Sequence, residues 1–244
     1  VRTIQGKTHL IGGAMAALGM ITVAKGNMNY WDMATCFACC EFGSLLPDID
    51  TTSKITEEDI AFKAVSLGLR GAGVKHRGIT HTLWASALFG ALFFLIATVM
   101  VRMMNSSVSF LLACIVFLMI HADNGAYEIK KFGSIIAVGV YLGLPIAMQF
   151  LPKDILSTIP TIEVKISPLM VGLSVFWGCI SHLLYDTCNK EGIGYLLPFV
   201  KKRISILPIT TSSMAETIFA TVMSIITTAW FILLLYLDYF KLPI

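Results

Sequence analysis

Charged residues are scarce in this chain. Only 14% of its 244 residues are Asp, Glu, Lys or Arg, against 56% hydrophobic, and the mean hydropathy is +0.78. That shortage excludes an ordinary soluble domain, in which about 25% of residues are charged. A surplus of one sign is missing too: the net charge of +3 is too small to imply a nucleic-acid partner. The six cysteines show no paired spacing, which excludes a disulfide scaffold. Cys36 and Cys39 form a C-x-x-C, a redox or metal motif elsewhere, but inside an apolar run they read as small packing residues. Without an internal repeat or a low-complexity tract, neither a solenoid nor a linker is expected. The first apolar run lacks a convincing cleavage site, so no cleavable signal peptide is expected.

What is present is apolar sequence in runs near membrane length. They lie at about 10–25, 30–47, 80–104, 107–122, 132–151, 166–187 and 216–240. At roughly 20 residues per crossing they predict an all-α polytopic transmembrane helical bundle of about six or seven spans. Residues 1–244 would then form a single transmembrane domain. Glycine and alanine in the first two runs suit close helix contacts. The longer hydrophilic segments are 48–79 and 188–215, the second carrying Lys201-Lys202-Arg203, a cluster that suits anionic lipid headgroups. With seven spans and a cytoplasmic N-terminus, 13 Lys and Arg fall inside and 5 outside. That bias places both loops in the cytoplasm.

Histidine is scarce, with five copies, and it is clustered. His76-Arg77-Gly78-Ile79-Thr80-His81 stands between Asp48-Ile49-Asp50 upstream and His182 with Asp186 downstream. Each set sits at the end of an apolar run, where an ionisable side chain is expensive and usually functional. Imidazoles and carboxylates from separate segments make the ligand set of a Zn²⁺- or Mn²⁺-type ion. His182 and Asp186 are four apart, hence on one helical face, where both could bind one ion or the carboxylate could orient the ring. A membrane-border hydrogen-bonded pair is the alternative. Thr80 is expected to cap a helix beginning at His81, and Arg77 can hold a phosphate or carboxylate in two-pronged fashion. Asp48 and Asp50 could share ions, or form an acidic turn with nothing bound. Glu41 lies seven residues before Asp48 and can share its helical face, but inside an apolar run it is a lesser candidate; His121 and Asp123 lack a matching pattern and read as interface residues.

Taken in order, Thr8-His9, Leu45-Leu46-Pro47-Asp48-Ile49-Asp50, His76 through Thr82 and His182-Leu183-Leu184-Tyr185-Asp186 resemble the YdjM-like family over roughly residues 7–205. That family is a group of inferred metal-dependent hydrolases of the bacterial inner membrane, loosely similar to zinc-dependent phospholipases C. The resemblance implies that His9, Asp48, Asp50, His76, His81, His182 and Asp186 are the metal-site positions.

Seven candidate ligands exceed the four of one zinc site, so two neighbouring divalent ions, zinc or else manganese, are expected. The expected reaction is hydrolysis of a phospholipid or lipid-linked phosphoester by a metal-activated water. Asp50 or Asp186 would serve as base and Arg77 would neutralise the phosphate. The alternative is a non-enzymatic membrane protein with a structural metal or an ion or solute path. Polar residues gathered at one face, with mid-membrane positions apolar, favour the enzyme. Membrane lipids are the expected partners.

Overall fold

The computed structural model describes residues 6–104 and 166–239, apart from a few isolated positions, with scattered positions between 116 and 143. Among the described residues the fold is all-α. Its helices are α1 (Gly6–Ala24), α2 (Tyr30–Gly43), α3 (Lys54–Glu58), α4 (Ile60–Gly71), α5 (Leu83–Met104), α6 (Pro168–Thr187) and α7 (Met214–Tyr236). Two short 3-10 turns, Pro47–Asp50 and Ile79–His81, carry the acidic and histidine motifs.

The helix ends follow from local chemistry. Asn29 caps α2 by accepting from the Asp32 N–H at 2.8 Å. Pro168 opens α6 in the position where a missing N–H costs nothing. The expected cap at Thr80 falls two residues later: the Thr82 hydroxyl accepts from the Ala85 N–H at 3.1 Å, and α5 begins at Leu83. Thr82 is extended, as a cap must be. Thr80 and His81 are thereby left in the preceding turn, free to face the site.

Helix α6 is the hub, packing against α1, α2 and α5, while α7 leans on α1. Glycine sets how closely these helices meet. A Cβ on Gly178 of α6 would lie 2.2 Å from the Cys40 carbonyl oxygen of α2, and one on Gly43 would lie 2.5 Å from the Val175 carbonyl oxygen. Gly90 of α5 and Gly172 of α6 likewise press on each other's carbonyls. Backbones in such contact gain dispersion energy where helices have no water to escape from.

The expectation of six or seven spans is only partly met. α6 and α7 are long and apolar enough to cross a membrane, whereas Thr8–Ala24 and Leu83–Val99 are shorter apolar helices. α2 has 14 residues, about 21 Å at 1.5 Å per residue, against a hydrocarbon core of roughly 30 Å. For α2 the apolar run is longer than the helix it feeds. The run at 30–47 turns at Ser44 and enters a 3-10 turn at Pro47. The runs at 107–122 and 132–151, with His121 and Asp123, fall largely or wholly outside the described residues.

Candidate metal centre

The sequence-distant motifs meet at one end of the bundle. The 3-10 turns 47–50 and 79–81 contact each other, and the first also contacts α6. α6 supplies His182 and Asp186 one turn apart, and the first turns of α1 supply His9. His9, Asp48, Asp50, Arg77, His81, His182 and Asp186 are all buried, and His76 is partly so. Asp48, Asp50, His76 and His81 each offer an atom within 4.8 Å of the others, and so do His9, His182 and Asp186. All seven expected ligand positions therefore come together.

Within this cluster four donor atoms form a smaller cage. His81 Nε2 lies 3.3 Å from His182 Nε2, 3.4 Å from Asp48 Oδ1 and 3.6 Å from Asp186 Oδ2. His182 Nε2 is 3.7 Å from Asp48 Oδ1 and 3.6 Å from Asp186 Oδ2. A tetrahedron with bonds of about 2.0–2.2 Å has edges of about 3.3–3.6 Å. Four of the five separations fall in that range, and the fifth, His182 Nε2 to Asp48 Oδ1, exceeds it by 0.1 Å.

The outer hydrogen bonds fix what these atoms present. His182 Nδ1 donates to the Ser44 carbonyl oxygen at 2.6 Å; a carbonyl can only accept, so Nδ1 carries the hydrogen and Nε2 is the nitrogen turned inward. His81 Nδ1 faces the Asp50 carboxylate at 3.4 Å and the Thr80 hydroxyl at 3.1 Å, while that hydroxyl donates to Asp50. The same logic assigns Nδ1–H to His81, whose Nε2 turns toward the cage and is bare once the ring gives up its second proton. With that proton gone, four acceptors point at one place, an arrangement that could hold a divalent cation. In addition, His9 Nδ1 and His76 Nε2 are buried with no hydrogen-bond partner among the described residues.

Protonation follows from the same geometry. Burial disfavours a charged His81, but its hydrogen bonds with Asp48 and Asp50 outweigh burial and push its pKa up to about 9. Burial would raise Asp48, yet His182 and His81 hold its carboxyl well below the usual range. Asp50 is likewise lowered against its burial by His76, His81 and Thr80. A proton on His81 is thus the occupant a metal must displace. Below pH 9 the apparent affinity for a divalent ion should rise up to tenfold per pH unit, flattening above it. Calorimetric titration in buffers of different ionisation enthalpy should read close to one proton released at pH 7. Affinity independent of pH between 6 and 8 would remove His81 from the coordinating set.

Arg77 occupies a left-handed backbone position, φ +55°, costly for a residue with a side chain. Its Nη2 donates to Asp186 Oδ1 at 2.9 Å and its Nη1 to Glu191 at 3.3 Å. Asp186 therefore serves two partners, Oδ1 toward Arg77 and Oδ2 toward the cage. His9 stacks on His182 with ring centroids 3.7 Å apart and brings Nε2 to 3.8 Å from Asp186.

A family model described as YdjM inner membrane protein matches residues 4–128 and 130–241. The chain belongs to the YdjM inner membrane protein family. The description places YdjM proteins in the inner membrane, consistent with the apolar α6 and α7, and it names no reaction. No curated protein and no solved structure matches the chain.

Sequence reasoning missed Ser44, Thr80 as an Asp50 partner, and Glu191. Ser44 acts through its backbone carbonyl, which leaves no mark in sequence. Thr80 lies inside the histidine motif, and its hydroxyl was the available signal. Glu191 follows Asp186 by five residues in a turn whose course no periodicity foretells.

Proposed function

We propose that this YdjM family member is a membrane-embedded metal-dependent hydrolase acting on a phospholipid or lipid-linked phosphoester at the cytoplasmic rim. The observation that carries this reading is the cage of four acceptors from His81, His182, Asp48 and Asp186. Zinc is the favoured ion, because two imidazoles and two carboxylates at tetrahedral separations suit it, with manganese as the alternative. Bound there, the ion would acidify a water and polarise a phosphoryl oxygen.

The chain's own residues divide the remaining work. Asp48, with its side chain 10% exposed, is the open side of the cage, since His81, His182 and Asp186 are 0–2% exposed. Water and substrate would enter there. Asp50, fully buried, holds His81 from behind and aligns His76, whose Nδ1 lies 3.0 Å from Asp50 Oδ1. His76 is 24% exposed and keeps an unpartnered Nε2, so it is suited to take a proton at the rim. Asp50 then orients the base and is not the base itself. Arg77 acts by fixing Asp186, since both its terminal nitrogens are engaged. Cytoplasmic placement rests on the 13-to-5 charge bias.

A second reading has its own support: four protein donors complete a tetrahedral zinc sphere, as in structural sites, whereas catalytic sites keep a position open. One experiment separates the two. The purified protein, its metal measured, is incubated with a panel of phospholipids and isoprenoid phosphates, with and without chelator. The enzyme reading expects headgroup or phosphate release that chelation stops and added divalent ion restores. Release of nothing by metal-loaded protein, with unfolding on chelation, establishes the structural role instead.

A further inference from the structure

Beyond the metal centre, the segment that follows α6 is built for a different contact. It runs out from Asp186, and two isolated β-bridges, Asn189 with Ile209 and Ile193 with Ile204, fold it into a loop. The Tyr195 carbonyl oxygen accepts from the Leu83 N–H at 3.0 Å, tying the loop to the start of α5. At its tip Phe199 is 79% exposed, next to Trp84 of α5, itself 53% exposed; their rings meet edge to face with centroids 6.3 Å apart. Val200, Ile204, Ile206 and Leu207 are exposed as well. Lys201, Lys202 and Arg203 interrupt these apolar side chains, all three exposed. From Gly192 to Ala215 the sequence contains no acidic residue.

Such a surface in water would be an aggregation liability, and the charge pattern is wrong for one that buries against an apolar protein face. It is right for the edge of a bilayer. Aromatic rings settle at headgroup depth, and cationic side chains beside them reach lipid phosphates. The apolar surface is also continuous with the exposed side of α5, where Leu88, Leu92, Leu95 and Val99 are exposed. We infer that Trp84, Phe199 and Val200 with Lys201, Lys202 and Arg203 form a lip that inserts into the anionic headgroup layer of the bilayer the chain spans. Trp84 follows His81 by three residues, and the loop that carries Phe199 starts just after Asp186 and is tied to Leu83, so the seating of the lip bears on the depth of the cage. This inference stands whether or not the cage is catalytic.

The test uses the full chain in nanodiscs of equimolar phosphatidylcholine and phosphatidylglycerol. A nitroxide label is placed by Phe199→Cys in a Cys188→Ser background, with Leu92→Cys as the lipid-facing reference. The label at 199 is expected to collide with oxygen more readily than with a water-soluble nickel chelate, as at 92. Collision with the chelate at the rate of free label in buffer overturns the insertion. In a parallel arm, lipids retained on extraction are counted. Wild-type protein should hold phosphatidylglycerol about fivefold over phosphatidylcholine, and K201Q/K202Q/R203Q should bring the ratio near one. Equal retention by wild type, or an unchanged ratio in the triple variant, overturns the lipid assignment. These side chains are exposed, so elution as a folded species is expected of every variant.

Discussion

On the proposed function, replacing His182 or Asp186 by Ala should abolish divalent-ion binding and reduce turnover by roughly 10³-fold or more, because an ion supplies several kcal/mol and ~4 kcal/mol is about 10³-fold. Both side chains lie on one face of α6 and contribute one edge of the cage, 3.6 Å long. Removing either leaves three donors, and removing Asp186 also takes from the buried Arg77 the nearer of its two carboxylate partners, leaving Glu191. The two losses should therefore be far from additive, with the double variant scarcely worse than either single one. Asp50→Asn tests the outer layer. It keeps the shape but weakens the grip on His81, and a cost of about 10–100-fold in metal affinity is expected. Elemental analysis of purified variants gives occupancy, and the hydrolysis panel gives turnover. Full occupancy in the Asp186 variant would dissolve the cage.

The second large effect is on folding. Gly178→Val should leave little folded protein, because even its Cβ would sit 2.2 Å from the Cys40 carbonyl oxygen and 2.9 Å from the Ser44 nitrogen. The obstruction is backbone, so no side-chain rotation relieves it. Adding a methylene to a packed interior costs about 1–3 kcal/mol, and a contact this short exceeds that range. Gly68→Ala on α4 is the control, since a Cβ there meets nothing within 4 Å. Size-exclusion profiles of fluorescent fusions in mild detergent should show a monodisperse peak for Gly68→Ala and aggregate for Gly178→Val. A normal peak for Gly178→Val would mean that α2 and α6 are not held together at that point.

The site was legible because ionisable residues are conspicuous in apolar sequence. His9, Asp48, Asp50, His76, His81, His182 and Asp186 stood out by type and position, and the four-residue spacing of His182 and Asp186 already placed them on one face. What could not be read was the division of labour among them. Asp48 and Asp50 are two residues apart in the same motif, yet one faces the cage and the other faces the far nitrogen of His81. A 3-10 turn sets that difference, and no hydrophobic period reports it. Arg77 was legible as an anion partner, but which anion it meets depends on the turn that brings Asp186 and Glu191 to it. In the fold, helical character followed from composition, whereas helix length did not, because single polar residues such as Thr82 and Ser44 decide where a helix starts or stops.

The contact between Gly178 and α2 bears on how this protein can change over generations. One turn beyond Gly178, His182 donates to the carbonyl of Ser44, the residue whose nitrogen Gly178 also crowds. Helix spacing and ring tautomer thus hang on the same few atoms. A drift in either helix that elsewhere would be neutral here turns the imidazole or loosens its anchor. A lineage remodelling this bundle must therefore move α2 and α6 as a unit, or lose the chemistry along with the fit.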